Sequence, residues 1–206
     1  MVAIIHHSGN TDKTDIILAA AQKRLGRYGF EKTTMSEIAA DLNLSKASLY
    51  YYFPDKESLW SAVLAKEQEE FFSLLKSRMQ EIQDPEKMIK EYITLRHEYF
   101  TTFLNLAKFR FSSFYQIRPH FKEMIDSLRN REAEQFTGIL KKGKKAGVFR
   151  IKNAEETACL FLDIIHGLRM IVIGNRPMLE LTQEDYDLMF EKHRYFVELF
   201  IRSIKK

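Results

Sequence analysis

Lys46, Ala47, Ser48, Tyr50 and Tyr51 bring an ammonium, a small methyl and three hydroxyls into six residues of one short segment. Such a set suits contact with a nucleic acid. A lysine donates to guanine O6 or N7, an alanine methyl packs on a thymine methyl, and hydroxyls donate to phosphate oxygens. Thr34, Ser45 and Lys56 flank the segment and add two hydroxyls and a second ammonium. Catalytic chemistry finds no comparable set. Six histidines, one cysteine and scattered carboxylates give no metal-ligand spacing, no nucleophile motif and no glycine-rich phosphate loop. The expectation is therefore no catalytic residue, no metal and no cofactor.

The elements that must position these residues are legible locally. Thr34 and Glu37 have the spacing of a capping box, which opens a helix. Met35, Ile38, Ala39 and Leu42 then repeat at helical spacing as one apolar stripe. Asn43-Leu44-Ser45 interrupts it: asparagine tolerates the left-handed conformation of a tight turn, and Ser45 can cap the next helix. With Leu49 and Phe53 turned inward, that next helix presents Ala47 and Tyr51 on its outer face, with Ser48 and Tyr50 on the flanks; Tyr52 leans toward the packed side. Two helices about such a turn form a helix-turn-helix whose second helix reads a duplex.

Residues 33–59 carry a family resemblance. Gly29-Phe30, Thr33-Thr34, Ile38-Ala39, Asn43-Leu44-Ser45, Leu49-Tyr50-Tyr51-Tyr52-Phe53 and the run from Lys56 to Leu59 together resemble the N-terminal signature of the TetR/AcrR family of bacterial transcriptional regulators. Asn43 stands where that signature usually has a glycine. With the helix that ends at Gly29-Phe30, the match covers about a quarter of the chain. The resemblance implies phosphate contacts at Thr34, Tyr50, Tyr51 and Lys56, and base contacts at Lys46, Ala47 and Ser48, with Tyr51 open to either role.

The remainder reads as nearly all-α. Four prolines and eight glycines in 206 residues leave room for long helices, and VAII at 2–5 and VFRI at 148–151 are the β-like runs. Residues 1–10, with His6-His7, read as a flexible tail, residues 11–55 as the DNA-binding head and residues 56–206 as a ligand-binding and dimerisation body, about nine helices in all. The first helix starts near Thr11 or Asp12, carries Ile16, Ile17, Ala20, Ala21 and Leu25 inward, and ends at Tyr28 with Gly29 as cap. A fourth runs from Lys56 to about Ile82, with Leu59, Trp60, Val63, Leu64, Phe71, Leu74 and Leu75 inward, and forms the natural lever between head and body. Asp84-Pro85 opens a fifth, reaching about Phe103. A sixth spans about Leu106 to Tyr115 and a seventh Pro119 to Lys142. Asn153 with Glu156 caps an eighth, and Thr182 with Asp185 caps a ninth.

The net charge of +4 does not locate the head, because Lys and Arg balance Asp and Glu over residues 1–60, seven against seven. The excess lies in KKGKK at 141–145, read as a solvated helix end where cations suit the dipole. Cys159 falls in an apolar run and reads as a buried thiol. No run approaches the roughly 18–20 apolar residues of a membrane span, and no signal peptide is evident. A cytoplasmic protein without membrane partners is expected.

The family resemblance implies a small-molecule pocket between the middle helices. The aromatic stretch 99–121 fits it, and the expected lining is Phe103, Phe111, Phe114, Tyr115, His166, Arg169 and Met170, which would take a lipophilic or aromatic effector. It also implies dimerisation through the last two helices, here through Phe161, Ile165, Leu168, Phe196, Phe200 and Ile204, so that two heads meet a near-palindromic operator. The expected function is a ligand-responsive repressor binding double-stranded DNA as a homodimer. Activation, or an architectural DNA-binding role without ligand, are the alternatives within DNA binding.

Overall fold

The computed structural model describes the backbone of residues 8–102, 111–174 and 182–206, and the side chains of residues 13–99, 101, 126–172 and 182–206. Eight helices account for most of these: α1 (Ser8–Lys32), α2 (Met35–Asp41), α3 (Lys46–Tyr52), α4 (Lys56–Glu81), α5 (Pro85–Thr102), α6 (Phe111–Lys145), α7 (Ala154–Gly174) and α8 (Gln183–Ile204). The all-α expectation holds. The extended pairing among the described residues is one isolated antiparallel bridge between Phe149 and Lys205. The runs at 2–5 and His6-His7 lie outside the described residues. The chain forms two compact units, and the division falls inside α4 between Gln68 and Glu69.

In the first unit α1 begins at Ser8, earlier than Thr11, and buries Ile17, Leu18, Ala21 and Leu25. Ile16 is exposed instead of inward, because the buried stripe is centred on Ile17 and leaves its neighbour about 100° round the helix. Gly29 has φ 80° and ψ 167°, a conformation open essentially to glycine alone, so the first helix is broken after Tyr28 before one last turn. Buried Thr33 donates its hydroxyl to the Gly29 carbonyl at 2.8 Å and ties that break down. Met35, Ile38 and Ala39 of α2, Leu49 and Phe53 around α3, and Leu59, Trp60, Val63 and Leu64 of α4 complete this core. Glu67 is buried as well, with Gln22 of α1 donating to it at 3.1 Å.

The second unit contains the rest of α4 and α5–α8. Phe71, Phe72 and Leu75 of α4 are buried, whereas Leu74 is exposed, contrary to its expected inward place. Pro85 occupies the first position of α5 and Asp84 accepts from the Glu86 N–H at 2.9 Å, the start that the sequence proposes. The sixth and seventh predicted helices are not separate over Phe111–Lys145. The helix runs through Pro119, since proline holds φ near the helical value and removes a single donor. The KKGKK end is solvated, as expected, with Lys141 paired to Glu155 at 2.6 Å. It closes in a Schellman motif: Val148 N–H reaches the Gly143 carbonyl at 3.0 Å, and Gly147 sits at φ 73°. A Cβ added at Gly143 would overlap the buried Phe149 ring, so this close approach requires glycine.

An aromatic stack fills the centre of this unit. Phe136 of α6 lies face to face with Phe161 of α7 at 4.0 Å between centroids, with Tyr92 of α5 at 5.2 Å from Phe136 and Phe200 of α8 at 4.8 Å from Phe161. Asn153 accepts from the Glu155 and Glu156 N–H groups at the start of α7, and Thr182 with Asp185 forms a full capping box on α8. Cys159 is exposed rather than buried: the inward face of α7 is set by Ala158, Phe161, Leu162 and Ile165, and Cys159 falls on the other side.

Candidate nucleic-acid interface

Thr34 caps α2 in both directions. Its hydroxyl oxygen accepts the Glu37 N–H at 3.3 Å, and its own N–H donates to the Glu37 carboxylate at 2.9 Å. The Thr34 hydroxyl also donates to the Glu37 carboxylate at 2.8 Å, and that bond first, with the one from the Thr34 N–H, holds the Glu37 carboxyl below the usual range. Arg24 of α1 approaches both Glu37 and Asp41, at 3.7 and 3.3 Å, and offsets the acidic side of α2. The turn is made as its residues require: Asn43 takes φ 53°, and Leu44 N–H returns to the Ala39 carbonyl at 2.9 Å. Ser45 then caps α3 by accepting the Ser48 N–H at 3.0 Å, with the two serine hydroxyls 2.8 Å apart.

Leu49 and Phe53 are buried, and this fixes the rotation of α3. Lys46 and Ala47 are exposed, Ser48 is half-buried, Tyr50 is 40% exposed and Tyr51 is 79% exposed. Lys46 extends over the Tyr50 ring at 5.7 Å, and Tyr51 meets the edge of half-buried Tyr52 at 5.4 Å. A fold gains little from leaving Tyr51 out in water; a surface for a polyanion gains a hydroxyl donor on a stiff ring. Lys56 is more engaged than its sequence position suggests. Its ammonium donates to the Phe30 carbonyl at 2.9 Å and lies 4.1 Å from the Phe30 ring centroid, while that ring packs edge-on against Trp60. One donor of three is thus used inside the head.

This geometry has close counterparts. The sequence model of the bacterial regulatory proteins of the tetR family matches residues 17–63, which span α2, α3 and their flanks. The crystal structure of a transcriptional regulator from Cytophaga hutchinsonii is similar over nearly the whole chain, with TM-score 0.85 and 36% identity, covering 94% of this chain and 99% of that one. The chain belongs to the TetR family of transcriptional regulators. The regulator is also 38% identical over 86 residues to the HTH-type transcriptional regulator RutR of Escherichia coli, a match covering 42% of this chain and 40% of RutR. It thus spans about two fifths of that relative's length. With QacR of Staphylococcus aureus it shares 23% identity over 156 residues, 75% of this chain and 82% of QacR. DNA binding and transcription regulation follow from this membership.

The residues expected in the regulator's body divide three ways. Phe103, Phe111, Phe114 and Tyr115 lie outside the residues whose side chains are described. His166, Arg169 and Met170 come together on one face of α7, all half-buried. Of the expected dimer residues, Phe161, Ile165 and Ile204 are taken up by the chain's own core, whereas Leu168, Phe196 and Phe200 are half-buried. The exposed apolar side chains of these helices are Leu160 and Ile171 on α7 and Leu188, Tyr195 and Leu199 on α8. A helix such as α7, with apolar residues on more than one side, does not reveal in sequence which side faces its own core.

Beside His166 lies a buried polar cluster that sequence reading missed. Arg96 of α5 pairs with Glu132 of α6, to which the Tyr92 hydroxyl donates at 3.0 Å and the His166 Nε2 approaches at 3.4 Å. Burial opposes ionisation of Glu132, but Arg96 and these hydrogen bonds prevail and hold it down at about 2. His193 of α8 is buried against the Ile165 carbonyl at 3.0 Å, and burial with the nearby Arg96 charge pushes it down to about 4. The available signal was register. Arg96 follows Met88, Ile89 and Tyr92 on the inward stripe of α5, and Glu132 precedes Phe136, Ile139 and Leu140 on that of α6.

Proposed function

We propose that this regulator is a ligand-responsive repressor that binds a near-palindromic operator as a homodimer and is released by a small effector. The observation that carries the DNA half is the outward face of α3, with exposed Lys46, Ala47 and Tyr51 held by buried Leu49 and Phe53. Base-edge contacts fall to Lys46, Ala47 and Ser48 in the first turn, where recognition helices read the major groove. Thr34, Ser45, Tyr50, Tyr51 and Lys56 contact phosphates and set the register. One head reads only a few base pairs, so two heads about one helical turn apart supply specificity. The exposed Leu160, Ile171, Leu188, Tyr195 and Leu199 favour self-association of α7 and α8. An effector then acts by preferring one body conformation over another, with the continuous helix α4 as the lever.

Selection of bound sequences from a random duplex pool tests this reading. A palindromic consensus is expected, and absence of any enrichment overturns it. Lys56→Gln is a narrower test, because Lys56 has two duties in this reading. Operator affinity should fall on all sequences, and the log–log salt slope should drop by about one charge per head, about two per dimer, as the phosphate contacts are lost. Tm should fall too, because a charge-assisted bond to the Phe30 carbonyl goes with it. A lower Tm with an unchanged salt slope would assign Lys56 to the fold alone.

A further inference from the structure

Residues 141–152, KKGKKAGVFRIK, and residues 202–206, RSIKK, hold nine Lys and Arg and no Asp or Glu. The whole chain has a net charge of only +4, so this corner carries more than all of the excess and the remainder has more acids than bases. Backbone pairing brings the two segments together. The Arg150 N–H donates to the Ile204 carbonyl at 2.7 Å and the Lys206 N–H to the Val148 carbonyl at 3.0 Å, on either side of the Phe149–Lys205 bridge. The Lys144 ammonium donates to the Lys152 carbonyl at 3.1 Å and draws the end of α6 toward the approach to α7.

Local roles absorb part of this charge. Lys141 pairs with Glu155 at 2.6 Å and Lys205 with Glu86 at 2.7 Å. The C-terminal ends of α6 and α8 lie at this corner, and each presents about half a negative charge, so together they offset about one cation. Asp84 and Glu156 border the corner, and even with both counted against it the cations remain in excess. Lys142, Lys145, Arg150, Lys152, Arg202 and Lys206 are all exposed and have no carboxylate partner among the described residues. Like charges held together on a fixed backbone repel one another, and a polyanion laid across them removes that cost.

We infer that this corner of the body is a second nucleic-acid surface, which holds duplex DNA by its phosphates without reading sequence. Three observations select that occupant. The chain is a DNA-binding regulator whose head is formally neutral, seven Lys and Arg against seven Asp and Glu over residues 1–60, so long-range attraction to a polyanion comes from elsewhere. Seven of the nine cations are lysines, compact charges that suit backbone phosphates more than bidentate readout of bases. The corner also offers a membrane nothing to insert. Phe149, Ile151 and Ile204 are buried in the fold, and none of the exposed large apolar side chains lies in these two segments.

Fluorescence anisotropy with a random-sequence duplex tests the assignment. Lys142→Gln, Lys145→Gln and Lys152→Gln combined should weaken binding about tenfold or more at low salt and lower the log–log salt slope by about two or three charges per chain. A control that removes the same charge elsewhere on the body, Lys76→Gln, Lys90→Gln and Lys192→Gln combined, should change both by much less. The consensus selected from a random pool should be the same in both variants and the wild type, because the heads are untouched. In the wild-type protein, added duplex should protect Lys142, Lys145 and Lys152 from acetylation and leave Lys76 and Lys192 open, a readout that needs no variant to fold. Equal losses in the two triple variants, no protection of the corner, or a shifted consensus in the corner variant would overturn the proposal. So would tighter binding of phosphatidylserine vesicles or polyglutamate than of duplex at the same salt. A wild-type protein that binds duplex through the corner yet selects no consensus would leave this surface standing and remove the repressor reading instead.

Discussion

Arg96→Met is expected to cost about 3–5 kcal/mol at pH 7 and to lower Tm by about 6–20 °C, and the loss should shrink as the solution is acidified. The size follows from what remains behind. Glu132 is 4% exposed and keeps its Tyr92 and His166 contacts, but loses the cation that lets it stay ionised in the core. In the wild-type protein its folded pKa is held at about 2, below the unfolded value. The stability it contributes is therefore complete above about pH 4.5 and is lost as pH falls through 2. Without Arg96, burial dominates and raises the folded pKa above the unfolded one. The ionised carboxylate is then a penalty at pH 7 that protonation relieves.

His193 moves the same comparison in the same direction. Burial and Arg96 depress it to about 4, so the wild type is most stable above about pH 6.5 and loses that contribution as pH falls toward 4. Removing the Arg96 charge lessens the depression, and the variant loses less over that window. Thermal melts of both proteins from pH 5 to pH 8 decide the matter. A Tm difference that is constant with pH would mean that the two groups are not coupled as their geometry indicates. Combining Arg96→Met with Glu132→Gln, which keeps an acceptor for Tyr92, should recover most of the loss and give a coupling energy of about 2–3 kcal/mol.

The contrast between head and body shows which features a chain of this kind displays in its letters. Thr34 with Glu37, Asn43, Ser45, Asn153, and Thr182 with Asp185 were all legible, because each acts within four residues of itself and its chemistry needs no knowledge of the fold. The rotation of α3 was legible too, since Leu49 and Phe53 leave no alternative inward face. Burial in the body was not. Phe161 and Leu160 are neighbours of similar hydrophobicity, yet one stacks on Phe136 and the other is exposed. The neighbouring helices α5, α6 and α8 decide between them, and sequence periodicity on α7 carries no information about those. Cys159 was misplaced for the same reason. The Arg96–Glu132 pair joins positions 36 residues apart, so register marks each as inward but does not name its partner. Pro119 reads in sequence as the start of a separate helix, whereas the helix continues through it from Phe111 to Lys145.

Tyr51→Phe is the substitution that tests the head most cleanly, and it should lower operator affinity by about ten- to a hundredfold per head with Tm almost unchanged. Tyr51 is 79% exposed and touches Tyr52 through its ring, which phenylalanine retains, so the folded state loses nothing of weight. What disappears is one hydroxyl donor to a charged oxygen, a bond worth about 1.5–3 kcal/mol. Position on the helix decides which oxygen. Lys46, Ala47 and Ser48 form the first turn of α3, which enters the groove in the proposed reading, whereas Tyr51 lies near the helix's C-terminal end. The hydroxyl is therefore directed to the backbone, and the loss should be uniform across operator sequences, with the selected consensus unaltered. Ala47→Ser should do the opposite, holding affinity for some duplexes while shifting the preferred base at one position per half-site, because it exchanges a methyl that packs on thymine for a donor and acceptor. Binding of each variant to the selected pool distinguishes the two. A changed consensus with Tyr51→Phe, or an unchanged one with Ala47→Ser, would reverse the roles given to the two ends of α3.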